Sequence, residues 1–141
     1  MKLEFKVQGM DFTRGGEATA KIKKALQLVG MEVDTIRRAV IVAYEAELNI
    51  VIHAKHGSLV THIHPNRVEI EAVDEGPGIP DISLALQEGY STAPPHIREM
   101  GFGAGMGLPN IQRCSDELHI DSEVDSGTTL KAIIINKSRG E

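Results

Sequence analysis

An alternating row that ends in an acid sets the first condition on this chain. In Arg67-Val68-Glu69-Ile70-Glu71-Ala72-Val73-Asp74, strand side chains alternate sides, so Val68, Ile70, Ala72 and Asp74 share one face. The apolar residues mark that face as buried, and the carboxylate at its end then needs donors. A buried polar group left unpaired costs roughly 2–7 kcal/mol. Gly76 and Gly78 remove side chains where the backbone turns and where something comes close. A flat ligand that donates to Asp74 and lies against the glycines meets both conditions. On this segment alone, an Asp-Gly turn leaving a strand meets them too.

The second condition comes from the segment Thr35 to Lys55, read as a long helix with Asp34 as its N-cap. Ile36, Val40, Ile41, Tyr44, Leu48, Ile50, Val51 and Ile52 wrap most of its circumference, which describes a buried helix. Glu45 and Asn49 are four apart and stand one above the other, with Ile41 and Ile52 flanking them. A carboxylate and an amide on an apolar stripe either fill a gap in the packing or serve a ligand.

The remaining elements follow from alternation, helical spacing and turn residues. Lys2 to Val7 reads as a strand. Glu17 to Val29 reads as a helix, capped by Asp11 or Thr13 and ended by Gly30. Gly57 to Ile63 is a strand, and Pro65-Asn66 turns it into the strand that ends at Asp74. Asp81 to Gln87 makes a short helix that stops at Gly89. Glu117 to Glu123 and Thr128 to Asn136 are strands joined around Asp125-Ser126-Gly127. Thr128 shares parity with Leu130, Ala132 and Ile134, so it is another polar group closing an apolar row.

Tyr90 to Gly107 is the least regular stretch. Gly101, Gly103, Gly105 and Gly107 alternate and exclude a stable helix or strand interior. They leave a backbone rich in open N–H groups, feeding a helix that starts near Leu108 with Pro109 in its first turn. Such an arrangement suits phosphate. A plain linker has the same composition.

The chain has 141 residues, which is the size of one domain, 1–141. Its net charge of −5, with no long basic run, argues against nucleic acid as a partner. Cys114 is the single cysteine, so there is no internal disulfide and a reducing compartment fits. No apolar run reaches the ~18 residues of a membrane span, and no signal peptide is evident. The expectation is a cytoplasmic protein with no membrane partner.

Taken in order, these pieces resemble the GHKL ATPase superfamily, the Bergerat fold. Glu45-Ala46-Glu47-Leu48-Asn49 matches its E-x-x-x-N box. Asp74-Glu75-Gly76-Pro77-Gly78 matches D-x-G-x-G, and Gly103-Ala104-Gly105-Met106-Gly107 matches the G-x-G-x-G lid box. Ser126-Gly127-Thr128-Thr129 matches the late Gly-Thr element. Each box is weak alone, and the ordered set is strong. Within the superfamily the chain looks most like the small serine kinases of sigma-factor pathways, the stressosome switch kinase and the anti-sigma-factor kinases. Ala72 to Asp81, Ala85 to Thr92 and Gly105 to Leu108 carry that resemblance.

The resemblance implies an α/β two-layer sandwich, with a mixed, mostly antiparallel sheet and helices on one face. It implies ATP between sheet and helices, under a lid formed by Tyr90 to Gly107, with Mg2+. Asp74 would accept from the adenine amino group, Thr128 would support the same edge, and Asn49 would bind the magnesium. Gly76, Gly78, Ile79, Thr92, Gly103, Ala104, Gly105, Met106, Gly107 and Leu108 would complete the nucleotide contacts. Glu45 would be the general base for a substrate serine. The implied substrate is a STAS-type antagonist protein phosphorylated on Ser or Thr. A sigma factor or another regulator is a further partner, and a homodimer is left open. Ala93 to Met100 departs from the shorter glycine-rich stretch expected in the stressosome kinases.

Other readings carry less. His62 and His64 share a face near His56, but no spacing completes a metal set, and a surface hairpin is the expectation. Glu69 and Glu71 read as a solvated face. The glycines do not directly follow a strand, which excludes a Rossmann loop. A nucleotide-dependent binding module without kinase activity is the main alternative. The catalytic piece of a histidine kinase is disfavoured, because no phospho-acceptor helix pair precedes the domain.

Overall fold

The computed structural model describes residues 1–89 and 106–137. Alternating segments form five strands: β1 Lys2–Gln8, β2 His56–His64, β3 Arg67–Glu75, β4 Glu117–Glu123 and β5 Gly127–Ile135. They make one sheet in the order β1-β2-β3-β5-β4. Each pairing is antiparallel, which narrows the mixed, mostly antiparallel expectation to a wholly antiparallel sheet among the described residues. Short turns between β2 and β3 and between β4 and β5 allow no other pairing of those neighbours.

One face of the sheet is buried. Leu59, Thr61 and Ile63 on β2, Val68, Ile70 and Ala72 on β3, and Leu130, Ala132 and Ile134 on β5 lie in register beneath the helices. The helices are α1 Glu17–Leu28, α2 Val33–His53, α3 Ile82–Ala85 and α4 Gly107–Cys114. Helix α2 lies on the sheet and touches β1, β2, β3 and β5, while α1 and α4 pack beside it. Ala39, Ala43 and Ala46 on α2 are fully buried, and their small size lets neighbouring backbone come near. Val42, Ile50 and Val51 fill the remaining space; each such buried side chain contributes about 1.5–3 kcal/mol. The helix is not apolar all round, since Val33 and Tyr44 are 78% and 38% exposed.

The helix starts differ from the expected caps. Helix α2 begins at Val33, so its N-cap is Glu32, whose carboxylate accepts from Thr35 N at 3.2 Å. Asp34 therefore lies inside the first turn and forks between Arg37 and Arg38 at 2.7 and 3.0 Å. Helix α1 takes no cap from Asp11 or Thr13. Its N-cap is Gly16, in a left-handed conformation with φ 97°, and the carboxylate comes from α2. Glu47 is 2% exposed. It accepts from Gly16 N, Ala18 N, Thr19 N and Thr19 Oγ1 at 3.0, 3.3, 2.9 and 2.7 Å.

The open face of the sheet is charged. Glu69 is not simply solvated, as the sequence suggested: His64, Arg67 and Lys131 surround it at 2.8, 3.5 and 3.4 Å. His56, His62 and His64 all lie on β2, in the hairpin with β3, and among the described residues no group of His, Cys, Asp or Glu is arranged to hold a metal ion. Among them, also, no helix is long and apolar enough to cross a membrane.

Replacing Glu47 by alanine leaves three N–H groups, two of them buried, without their acceptor. The expected loss is about 3 kcal/mol, read as a lower urea midpoint with unchanged m. An unchanged midpoint would show that α1 is held by packing alone.

Candidate functional site

The end of β3 carries the acid predicted from its alternation. Asp74 stands opposite Gly57 on β2 and Thr128 on β5. Neither neighbour covers it with a large side chain. Thr128 N donates to Asp74 Oδ1 at 3.2 Å, which leaves the second carboxylate oxygen for another donor. Burial raises the Asp74 pKa above its ordinary value, and the Thr128 N–H offsets this only in part.

Two of the glycines around it are required by close backbone contacts. Gly78 has φ 74°, and a Cβ there would sit 2.3 Å from Glu123 O. A Cβ on Gly127, at φ 150°, would sit 2.0 Å from Asp74 O. Asp125 N donates to Pro77 O at 2.9 Å, so the loop after β3 is laced to the β4–β5 turn. Ser122 completes the lacing. Its Oγ accepts from Ile79 N at 2.7 Å and meets Thr128 Oγ1 at 2.8 Å. The sequence reading missed Ser122, because a serine between Asp121 and Glu123 looks like any polar strand residue. Only its register opposite Thr128 reveals it.

Helix α2 supplies the opposite wall. Glu45, Asn49 and His53 repeat every four residues and are all half-buried, so they form one polar stripe. The stripe is about 12 Å long at 1.5 Å per residue. Its His53 end adjoins the Asp74 end of the sheet: a Cβ on Gly76 would lie 3.1 Å from both Ala54 Cα and Asp74 Oδ1. Burial lowers the pKa of His53. That residue was also missed, although the i+4 spacing from Asn49 could have found it.

The other end of the stripe lies under α4. A Cβ on Gly107 would be 3.2 Å from Glu45 Oε2 and 3.4 Å from Asn49 Oδ1. Glycine at the first position of α4 lets the helix start come down onto the polar pair. No side chain caps that helix start. Met106 and Leu108 flank Gly107 there, and Pro109 sits in the first turn as expected. Burial raises the pKa of Glu45, and a hydrogen bond from the Asn110 side chain offsets this in part. Thr92, Gly103, Ala104, Gly105 and most of the expected lid, Tyr90 to Gly107, lie outside the described residues.

The structure thus brings Gly107 onto Glu45 and Asn49, and Gly76 and Asp74 beside the end of α2, with Thr128 next to Asp74 and with Gly78 and Ile79 laced to the β4–β5 end of the sheet. A polar stripe with an acid at each end suits an elongated ligand. One end takes a donor, and the other receives charge near an uncapped helix start.

Known proteins share the sequence pattern and the fold of this chain. The family model for histidine kinase-, DNA gyrase B- and HSP90-like ATPases matches residues 34–138. The serine/threonine-protein kinase RsbT of Bacillus subtilis is 34% identical over 105 residues, covering 70% of this chain and 73% of that protein. An anti-sigma F factor of Caldanaerobacter subterraneus is 30% identical over 115 residues, covering 82% of this chain and 68% of that one. The same fold is found in a chain of the SiaB–SiaC complex from Pseudomonas aeruginosa. The TM-score there is 0.67 at 17% identity, over 94% of this chain and 88% of that one. It also occurs in a Mycobacterium tuberculosis structure of RsbU and RsbW domains. There the TM-score is 0.64 at 14% identity, over 98% of this chain and 33% of that one.

Asp74→Asn keeps an oxygen for the Thr128 N–H and turns the other acceptor into a donor. An acid with a raised folded pKa contributes stability that is fully present below its unfolded value and is lost as pH rises through the folded value. That window opens near the ordinary 3.8 and extends upward. The ligand-free variant at pH 7 is therefore expected to melt at or above the wild-type temperature. Its affinity for ADP should fall about tenfold or more in calorimetry. A variant that melts lower and binds ADP normally would exclude Asp74 from the site.

Proposed function

Since the chain belongs to the GHKL family of histidine kinase-, DNA gyrase B- and HSP90-like ATPases, in its branch of small serine/threonine kinases and anti-sigma factors, we propose that it phosphorylates a STAS-type regulatory protein on Ser or Thr within a bacterial partner-switching pathway. Residues 1–141 form one such domain in this reading, working in the cytoplasm. The observation that carries it is the placement of Glu45 one helical turn from Asn49, beneath the glycine start of α4, with Asp74 at the far end of the seam.

Each residue then has a defined task. The free Asp74 oxygen accepts from the exocyclic amino group of adenine, and Thr128, backed by Ser122, lines the same edge. The backbone N–H groups of Met106, Gly107 and Leu108 face the phosphates, with Thr92, Gly103, Ala104 and Gly105 extending that contact. Asn49 offers a hard amide oxygen. Mg2+ keeps several waters and takes few protein oxygens besides substrate phosphates, so one amide fits it. When bound, Mg2+ neutralises charge on the phosphates. Glu45 takes the proton of the substrate hydroxyl as its oxygen bonds to the γ-phosphorus and the bond to the bridging oxygen breaks, releasing ADP.

A second reading draws on the likeness to anti-sigma F factors. In it, ATP only sets the shape, and the chain sequesters a sigma factor or another regulator. Transfer of labelled γ-phosphate to STAS proteins encoded beside this chain separates the two. The kinase reading expects transfer by the wild type. With Glu45→Ala, the rate should drop by about 10²-fold or more while ADP affinity is kept. Asn49→Ala should remove the magnesium dependence of nucleotide binding. A wild type that forms a nucleotide-dependent complex but never transfers phosphate would establish sequestration instead.

A further inference from the structure

Strand register sets three polar side chains in a row at the Asp74 end of the sheet. Ser122 on β4 stands opposite Thr128 on β5, and Thr128 stands opposite Asp74 on β3. Residues directly opposite share a face, so the three line up across the sheet. Ser122, on the edge strand, uses its whole hydrogen-bonding capacity within the chain. Its Oγ accepts from Ile79 N at 2.7 Å, lies 3.2 Å from Gly127 O and lies 2.8 Å from Thr128 Oγ1.

A hydroxyl has one proton to give and two lone pairs to receive with. A carbonyl oxygen only accepts, so the bond to Gly127 O takes the Ser122 proton. The bond between the two hydroxyls must then use the Thr128 proton, donated to Ser122 Oγ. The Ile79 N–H occupies the other lone pair, and no other assignment forms all three bonds at once. The Thr128 hydroxyl therefore faces away from Ser122 with lone pairs alone. Beside it, Asp74 Oδ1 accepts from Thr128 N at 3.2 Å, and the other oxygen of the ionised acid is again an acceptor.

We infer that Ser122 fixes the Thr128 hydroxyl as an acceptor, so that Thr128 and Asp74 together select a purine with an amino group at this edge over one with a carbonyl oxygen there. The inference rests on the nucleotide site proposed above and adds a residue outside its matched sequence boxes. Ser122 touches Thr128 and not the base, so it is a positioning residue. Its other two partners are backbone groups, of the loop after β3 and of the β4–β5 turn, so it is itself held in place.

The test is calorimetry on the full chain with ADP and with inosine diphosphate, in which a 6-oxo group replaces the amino group. The wild type should bind ADP about 100-fold or more tighter. Ser122→Ala takes the partner from the Thr128 proton, which can then turn to the carbonyl oxygen of inosine, and the ratio of the two affinities should fall about tenfold. The same substitution strips Ile79 N of its acceptor, but a loosened loop alone would weaken both nucleotides alike. Thr128→Val leaves Ser122 bonded to Ile79 and Gly127, removes one of the two acceptors and should also lower the ratio. In that background no proton remains to turn, so adding Ser122→Ala should leave the ratio where it is. Equal wild-type affinities, an unchanged ratio in either single variant, or a further fall in the double variant overturns the inference while leaving the nucleotide site intact. A wild type that binds neither nucleotide removes the site and this inference together.

Discussion

Desolvation of acids along one helix–sheet seam is the constraint on which this structure turns. Glu45 and Asp74 are half-buried, and burial raises the pKa of both. Among the described residues the Thr128 N–H donates to Asp74, and the Asn110 side chain offsets part of the effect of burial on Glu45. A fold with no use for these groups would replace them or surround them with donors. A ligand that donates to Asp74, and a substrate hydroxyl that donates to Glu45, would add to what the described residues supply.

Glu47 is the internal control for that argument. It lies two residues from Glu45 on the same helix and faces the other way. It is more deeply buried, yet it receives three backbone N–H groups and a hydroxyl from the start of α1. Its role is complete within the chain, because it caps a helix that has no cap of its own. One turn of α2 thus holds a carboxylate satisfied within the chain beside one that the described residues supply far less, and only their partners distinguish them.

The glycines divide in the same way. Gly78 and Gly127 are demanded by backbone contacts that stitch the β3 loop to the β4–β5 turn. Gly107 meets side chains instead, and a methyl group there would lie 3.2 Å from Glu45 Oε2 and 3.4 Å from Asn49 Oδ1, so the Glu45 carboxylate would have to give slightly. The first two keep the Asp74 end of the seam rigid. The third sets how closely α4 approaches the other end.

Much of this was legible in the chain itself. The alternation of β3, the parity of Thr128 and the four-residue step from Glu45 to Asn49 depend on local geometry, which sequence spacing determines directly. Those periodicities placed five strands, the long helix and the positions of Glu45, Asn49, Asp74 and Thr128 on them. The tertiary structure alone decided what depends on distant partners. It put Ser122 beneath Thr128 and gave α1 its cap from Glu47 rather than Asp11 or Thr13. It also set His64, Arg67 and Lys131 around Glu69 and brought Gly107 onto Glu45 and Asn49. Each of those contacts joins residues whose separation along the chain carries no period, so no local pattern could encode them.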